Sequence, residues 1–289
     1  MISNSELILN PDGSIFHLHL KPENIADKVI LVGDQGRVKT IASFFESIEF
    51  TGQNREFRTV TGTYKGGRFS VISTGIGTDN IDIVLNELDA LVNIDLKSRI
   101  IKHEKKSLSI IRIGTSGSLQ RNLPVNSFVI AQKVIGFDGM LNFYANREDV
   151  CDLQMEKEFK NFMSWDESFP TPYIVDCSNE LVNKFDDKDF IKEVTISAPG
   201  FYGPQGRVLR LPIAKPDINI QLERFSYNGY RIVNYEMETS AIYGLSKMMG
   251  HEALTVCLLI NNRQAGKTNN KYHHEMNKLI EKVLNCLIK

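Results

Sequence analysis

Short apolar runs alternate with helical stretches along this chain, and several of the runs stop at glycine-rich turns. Apolar residues recur at helical spacing in Ile81–Val92, and the pattern also predicts helices over Val38–Phe45 and Lys271–Ile288. This order of elements predicts an α/β fold in which helices cover both faces of a sheet. The predicted strands are Val29–Val32, Phe69–Thr74, Leu108–Ile113, Ser127–Val134, Glu193–Ser197 and Leu254–Ile260.

The organisation of the chain favours a single domain. No internal repeat and no proline- or glycine-rich linker interrupts it, so one domain over residues 1–289 is expected, with 1–15 as a loose N-terminal arm. Asp95–Ser107 is dense in charge, and Asp186–Lys192 is a similar polar connection. We expect both segments to be solvated insertions between elements.

Composition narrows the class of protein. The 289 residues include 34 Lys and Arg against 35 Asp and Glu, so general affinity for nucleic acid is not expected. No apolar run approaches the roughly 18 residues of a membrane span, and the first residues lack the layout of a signal peptide. The four cysteines are far apart, which argues against a disulfide framework or a zinc site. A soluble, cytoplasmic protein is therefore expected.

Polar segments that contain glycine follow three of the predicted strands. They are Gly33–Arg37, Ser73–Thr78 and Gly114–Ser118, the last preceded by Arg112. Ligands gather at the carboxyl ends of strands in such sheets, where glycine lets the backbone approach an anion and arginine offers a fork for phosphate oxygens. The chain has neither a Gly-Lys-Ser/Thr phosphate loop nor a dinucleotide fingerprint, which weighs against an ATPase or a dehydrogenase.

The order of these and later segments resembles the nucleoside phosphorylase family. Phe201–Arg207 is similar to the uracil-reading loop of its pyrimidine-specific members, and Asn234–Ala241 to the ribose-reading segment. The resemblance begins near Phe16 and continues to the end of the chain, with the charged segment before Leu108 as its main break. The earlier segments that carry it are His17, Gly33-Asp34-x-x-Arg37, Arg55-Glu56-Phe57, Ser73-Thr74-Gly75-Ile76-Gly77 and Arg112-Ile113-Gly114-Thr115-Ser116-Gly117.

This resemblance implies a fold and an activity. The fold would be a nucleoside phosphorylase-like domain whose central mixed sheet is partly barrel-like. The activity would be pentosyl transfer, in which inorganic phosphate cleaves uridine to uracil and ribose 1-phosphate. Phosphate would be a co-substrate, no cofactor would be needed, and the chain would form a homo-oligomer, either a dimer or a hexamer built as a trimer of dimers.

The resemblance also assigns residues to three subsites. Arg55 and His17 would reach the site of a neighbouring subunit, and Arg207 would stabilise charge on the leaving base. Three arginines around one anion are hard to explain without a ligand. The phosphate residues would be Gly33, Arg37, Arg55, Arg112 and Thr115. The ribose residues would be His17, Glu236, Met237 and Glu238. The base residues would be Phe201, Gln205, Arg207 and Ile260.

Several positions depart from the family pattern. Gln35 stands where proline is common, His19 where glycine is usual, and Asn261 replaces an apolar residue beside the base. Bacterial members can bind a monovalent cation such as potassium at the subunit interface. Glu56 matches one of its ligands, whereas Asn80 replaces a serine. No firm metal site is expected, and the sequence leaves open whether this cation is bound.

Four alternatives stay open beside this interpretation. A purine nucleoside phosphorylase or a nucleosidase could use the same fold, although no carboxylate follows the predicted strand at Ile260 and a nucleosidase would not need the arginines. A catalytically silent nucleoside-binding protein is an alternative of another class. Glu236 and Glu238 could also form a glycosidase pair, but at two residues apart they need not face each other.

Overall fold

The computed structural model describes residues 1–185 and 188–289, and within these residues a mixed sheet of 12 strands dominates the fold. Two further short strands form a separate hairpin. The strands are β1 (Lys28–Val32), β2 (Ser47–Asn54), β3 (Phe57–Tyr64), β4 (Gly67–Ser73), β5 (Ile94–Asp95), β6 (Ile100–Ile101), β7 (Ser109–Ser118), β8 (Phe128–Gly136), β9 (Tyr173–Asp176), β10 (Phe190–Ser197), β11 (Ser226–Tyr227), β12 (Tyr230–Glu236), β13 (Glu252–Asn262) and β14 (Lys267–Thr268). The helices are α1 (Gln35–Ala42), α2 (Thr78–Asn93), α3 (Leu153–Met163), α4 (Asn179–Asn183), α5 (Ile218–Arg224), α6 (Thr239–Met249) and α7 (His273–Leu287).

Part of the sheet closes into a five-stranded barrel. The order β12-β10-β8-β13-β7 returns to β12, because β12 also pairs with the far end of β7 at Asn234↔Ser118 and Tyr235↔Gly117. Beyond β7 the sheet continues as β1, β4, β3 and β2. Strands β1, β7 and β13 are parallel to one another, and so are β8, β10 and β12. The two groups meet in antiparallel pairings, and the carboxyl ends of β7 and β12 overlap where Asn234 pairs with Ser118. Helices cover both faces, which confirms the predicted α/β class with a partly barrel-like mixed sheet.

The helices bury apolar stripes against this sheet. In α2, Ile81, Val84, Leu85, Leu88 and Leu91 are fully buried, as the helical spacing predicted. That helix packs on α6, and α6 packs on β8 and β13. The residues after β12 are therefore fixed by a buried helix, which makes this strand–helix turn a rigid support for side chains.

The predicted strands differ from the observed ones mainly in length. The runs at Val29–Val32 and Leu254–Ile260 lie within β1 and β13. The run from Leu108 was expected to end at Gly114, but β7 continues to Ser118 because β13 pairs with it along the whole extension. Helix α1 begins before Val38 because the Asp34 side chain caps it, accepting a hydrogen bond from Arg37 N.

The two segments expected to be solvated insertions differ in how closely they match that expectation. Residues 100–107 are all exposed, including the short strand β6, as expected of a solvated connection. For Asp186–Lys192, the first two residues lie outside the described part, and β10 already begins at Phe190, so the connection is shorter than expected. In the N-terminal segment, Leu7 and Ile15 are buried and Ile2 N donates to Arg99 O.

Candidate active site

A cavity of about 420 Å³ opens near the carboxyl ends of β1, β7, β12 and β13. All predicted site residues line it except His17 and Arg55, the two that were expected to serve a neighbouring subunit. Elements far apart in sequence supply them: the turn after β1, the middle of β7, the loop after β10, the turn after β12 and the end of β13. The cavity walls also include Asp34, Ile76, Ser116, Gly117, Tyr235, Asn261 and Thr268, to which no subsite role was assigned.

Gly33 and Arg37 form one end of the cavity, at the start of α1. The Arg37 guanidinium lies 3.1 Å from Asp34 Oδ2 and donates to Ile113 O at 3.3 Å. Gly33 packs close to the backbone of the next strand turn, since a β-carbon there would lie 3.8 Å from Gly75 O. A helix N-terminus beside an arginine fork is a favourable place for a phosphate.

Arg112 extends from β7 into the same region and is almost fully buried. Its Nη2 contacts Glu238 Oε2, and its Nη1 lies 3.4 Å from Glu236 Oε2. The guanidinium lies against Gly114, where a β-carbon would come within 2.1 Å of Nη1. The two carboxylates hold the pKa of Arg112 above its usual value despite burial, so the side chain is a permanent cation in the cavity wall.

Glu236 and Glu238 occupy different environments although they are two residues apart. Glu236 accepts hydrogen bonds from the Ser197 hydroxyl and from the backbone N–H groups of Glu238 and Thr239. It therefore fixes the turn into α6. Glu238 instead accepts from Gly77 N at 2.9 Å and from Arg112. Burial raises the pKa of Glu238, and the Arg112 cation offsets this only in part.

Gln205 and Arg207 lie together in the cavity wall. Gln205 is buried, and its Oε1 accepts a hydrogen bond from Arg207 Nη1. The Arg207 guanidinium stacks on the Phe201 ring at 3.6 Å from the ring centre and donates to Phe201 O at 2.6 Å. Phe201 itself is half exposed and lines the cavity, so it is not a core residue.

Arg263 completes this cluster, and no role was predicted for it. Its Nη1 donates to Gln205 O, and its Nη2 donates to Gln205 Oε1 at 3.1 Å. Burial together with the Arg263 charge lowers the pKa of Arg207 to about 10. Two cations this close favour an anion between them. The sequence did contain a signal for Arg263, because this residue directly follows the strand that ends at Asn262. The other candidate loops were identified by the same position after a strand.

Asn261 places an unusual polar group in the cavity wall. Its Nδ2 donates to the Thr268 hydroxyl at 2.8 Å across the β13–β14 hairpin. Its Oδ1 is buried without a hydrogen-bond partner and faces Gly117, at 3.9 Å from a β-carbon built there. A buried acceptor without a donor is costly, so residue 261 carries an unsatisfied polar atom beside the cavity.

His17 and Arg55 lie close together but outside the cavity lining. Asn54 Nδ2 donates to His17 O at 2.8 Å, which joins the His17 segment to the hairpin turn that carries Arg55. His17 Nδ1 lies 2.7 Å from Glu87 Oε1, and Arg55 O accepts from Gln35 Nε2 at 2.9 Å. The Gln35 side chain, which departs from the family pattern, thus links the turn after β1 to the turn that carries Arg55.

The other departures are also structurally defined. His19 has φ +54°, in the left-handed region where glycine is favoured. Glu56 and Asn80 both lie near Gly75, since a β-carbon there would be 3.3 Å from Glu56 Cγ and 2.4 Å from Asn80 Nδ2. Across the described residues, no group of three His, Cys, Asp or Glu side chains has the arrangement of a metal site. None of the helices in that part of the chain is both long and apolar enough to cross a bilayer.

Comparisons with known proteins identify the family of this chain. Residues 27–288 match the family model of the phosphorylase superfamily. A uridine phosphorylase from Thermococcus kodakarensis is 28% identical over 260 residues, covering 87% of this chain and 79% of that protein. A DeoD-type purine nucleoside phosphorylase from Listeria monocytogenes is 28% identical over 241 residues, covering 83% and 84%.

The similarity extends to three dimensions. The crystal structure of a Trypanosoma brucei nucleoside phosphorylase, described as showing uridine phosphorylase activity, matches with a TM-score of 0.84. It is 28% identical in sequence, and the match covers 98% of this chain and 99% of that one. Both the sequence match and the fold lead to the same conclusion: this chain belongs to the phosphorylase superfamily, with the fold of a nucleoside phosphorylase.

Proposed function

We propose that this protein is a uridine phosphorylase, a pentosyltransferase that uses inorganic phosphate to cleave uridine into uracil and ribose 1-phosphate. The observation that carries the proposal is that two arginines, a buried carboxylate and an adjacent amide–guanidinium pair line one cavity. Arg37 and Arg112 suit a dianion, Glu238 suits ribose hydroxyls, and Gln205 with Arg207 suits the uracil edge.

Positioning and electrostatics account for the proposed reaction. Phosphate attacks the sugar carbon directly, so no nucleophilic side chain is required. Uracil leaves as an anion, and Arg207 and Arg263 stabilise its charge from a partly buried position. Glu236 supports the ribose subsite by fixing the turn that presents Glu238, rather than by acting as half of a glycosidase pair.

We also propose that the active unit is a homo-oligomer with shared sites, at least a dimer and at most a hexamer of three dimers. Arg55 and His17 do not line their own cavity, yet Asn54 joins them on one surface. Two-fold association through this surface would place both residues in the neighbouring site. A monovalent cation at Glu56 would belong to the same interface.

The setting of the reaction follows from the same chemistry. Phosphate enters as a co-substrate, and none of the proposed steps requires a resident cofactor. Cys151, Cys177 and Cys257 carry free thiols, and unpaired thiols suit a reducing compartment, so we propose the cytoplasm and a role in pyrimidine nucleoside salvage.

Purine nucleosides are the second candidate substrate, because the Listeria relative is a purine nucleoside phosphorylase of equal identity. The Gln205–Arg207–Arg263 cluster favours uracil, since it offers cations to the imide edge, whereas no carboxylate follows β13 to hydrogen-bond a purine N7. A higher kcat/KM for inosine than for uridine would assign the protein to the purine class.

The proposal is tested by measuring uracil release from uridine in matched buffers with inorganic phosphate or with chloride. We expect release only with phosphate. Equal release in both buffers would identify a nucleosidase. Binding of uridine without release in either buffer would identify a catalytically silent binding protein.

A further inference from the structure

Glu87, on α2, holds the segment that carries His17. Its carboxylate accepts the backbone N–H of His17 at 3.0 Å and that of Leu18 at 2.8 Å. The same carboxylate lies 2.7 Å from His17 Nδ1. The Glu87 side chain is only 13% exposed, so these three nitrogen atoms, rather than water, supply most of its hydrogen bonds.

The segment around His17 is closely anchored to the core. Ile15, Leu18 and Leu20 are almost fully buried, and Ile15 N donates to Leu20 O at 2.9 Å, which closes the turn on which His17 lies. Helix α2 in turn packs on α6. Both the backbone and the imidazole of His17 are thus held in one arrangement by elements of the core.

The contact with Glu87 determines which nitrogen of a neutral His17 ring carries the proton. A carboxylate can only accept, so this short contact requires a proton on Nδ1 and makes Nε2 an acceptor. Within residues 1–185 and 188–289, no hydrogen bond or ion pair reaches His17 Nε2, and the side chain is 28% exposed. His17 therefore presents a free acceptor outside the cavity of its own subunit.

We propose that Glu87 is a positioning residue for the 5′ end of the nucleoside. It keeps the proton of the neutral His17 ring on Nδ1, so that Nε2 accepts a hydrogen bond from the 5′-hydroxyl of a nucleoside in the neighbouring subunit's site. This inference rests on the proposed function and its shared sites. The group that contacts the 5′ end is then an acceptor with a carboxylate on its far side.

This polarity selects a class of substrate. A free nucleoside has a 5′-hydroxyl that can donate to Nε2. An ionised 5′-phosphate has only acceptor oxygens, and it brings negative charge toward Glu87, whose Oε1 lies 2.7 Å from the other nitrogen of the ring. We therefore expect the site to cleave nucleosides and to reject nucleoside 5′-phosphates.

Nitrogen-15 NMR of histidine-labelled protein measures the position of the proton directly. Spectra are recorded in mildly alkaline buffer, and the His17 signals are identified as those missing from His17→Ala. We expect Nδ1 to carry the proton and Nε2 to be unprotonated. A proton on His17 Nε2 would overturn the proposal, whatever the activity of the protein.

A substrate that can accept but not donate tests the role of this proton in recognition. 5′-Deoxy-5′-fluorouridine is close to uridine in size but has fluorine in place of the 5′-hydroxyl. In the wild type, kcat/KM for uridine should exceed that for the fluoro analogue by about tenfold, the upper range for a hydrogen bond between neutral groups. In Glu87→Gln the preference should narrow to about threefold, because the amide N–H donates to Nδ1 and moves the proton to Nε2.

Controls separate recognition from general effects. Fluorine withdraws electrons from the sugar equally in every variant, so comparing variants removes that effect. Glu23→Gln, at an exposed position, should keep the tenfold preference. In a His17→Ala background, Glu87→Gln should leave the ratio of the two substrates unchanged.

The outcomes distinguish the proposal from its premises. A merely structural role of Glu87 would weaken both substrates in parallel, so an unchanged ratio in Glu87→Gln would overturn the proposal and leave phosphorolysis intact. Absence of phosphate-dependent cleavage of uridine by the wild type would overturn the proposed function instead. If Glu87→Gln is inactive, the proton position in the wild type decides.

Discussion

Arg263 holds Gln205 by two atoms at once, donating to its backbone oxygen and to its side-chain Oε1. Because Arg207 also donates to that Oε1, the amide is fixed between two cations. The amide that we propose to read the base therefore depends on a residue outside its own loop.

Substituting Arg263 should impair the base subsite. Arg263→Ala removes two charge-assisted hydrogen bonds from Gln205 and one cation from the leaving base, and each such bond contributes about 1.5–3 kcal/mol. We expect kcat/KM for uridine to fall by a factor of about ten to a hundred. Arg210→Ala, on an exposed part of the following loop, is the matched control and should leave kcat/KM unchanged. Similar values for the two variants would show that Arg263 plays no part in base reading.

Asn261 should influence discrimination at the pyrimidine ring. Asn261→Val replaces the unpaired Oδ1 with an apolar surface against which the methyl group of thymine can pack. Burying one such group contributes about 0.8 kcal/mol, so kcat/KM for thymidine relative to 2′-deoxyuridine should rise about fourfold. Asn269→Ala, outside the cavity, should not change this ratio. An unchanged ratio in Asn261→Val would mean that residue 261 does not face the ring.

Glu238 should make uridine binding sensitive to acid at an unusually high pH. Its pKa is raised by burial, and only the ionised form pairs with Arg112 and accepts both ribose hydroxyls. The affinity for uridine should therefore decline as pH falls through this raised pKa. The decline should occur at a higher pH than the value of about 4.3 at which an ordinary glutamate titrates. Sulfate buffer keeps the titration of phosphate out of the measurement. Glu238→Gln should bind more weakly but without this acid limb, and a persisting limb would assign the titration to another group.

Mixing of inactive variants should reveal shared sites. Arg55→Ala and Arg37→Ala remove a residue of the partner's site and of the subunit's own site, respectively, and Arg37 is chosen because its loss leaves no buried carboxylate unpaired. After dissociation and reassociation in equal amounts, half of the dimers are mixed. Each mixed dimer has one intact site, so about a quarter of wild-type activity should return. No recovery, with subunit exchange confirmed, would mean that Arg55 serves its own subunit.

The elements that the sequence predicted well share one physical property. Strands β1, β4 and β13 are continuous apolar runs because both of their faces are covered, and such runs are visible without any tertiary information. Strand β2 alternates between exposed and half-buried positions, and its many polar residues give no apolar run from which the strand could be predicted. The length of β7 depended on a partner strand more than 130 residues away.

In the site as well, features that are local in sequence were predicted, and features that depend on distant residues were not. Most of the residues that line the cavity were predicted by resemblance, because their motifs are local in sequence. The Arg112–Glu238 ion pair joins residues on β7 and at the start of α6, so neither motif alone indicates it. The bonds that commit Glu236 to the α6 turn likewise require Ser197, which comes from β10.

The central claim is that phosphate, not water, cleaves the glycosidic bond of uridine. Phosphorus NMR of a reaction with equal concentrations of uridine and inorganic phosphate measures this directly. We predict that the phosphate signal declines while a ribose 1-phosphate signal grows in equal amount with free uracil. Free ribose together with uracil, at a constant phosphate signal, would contradict the account.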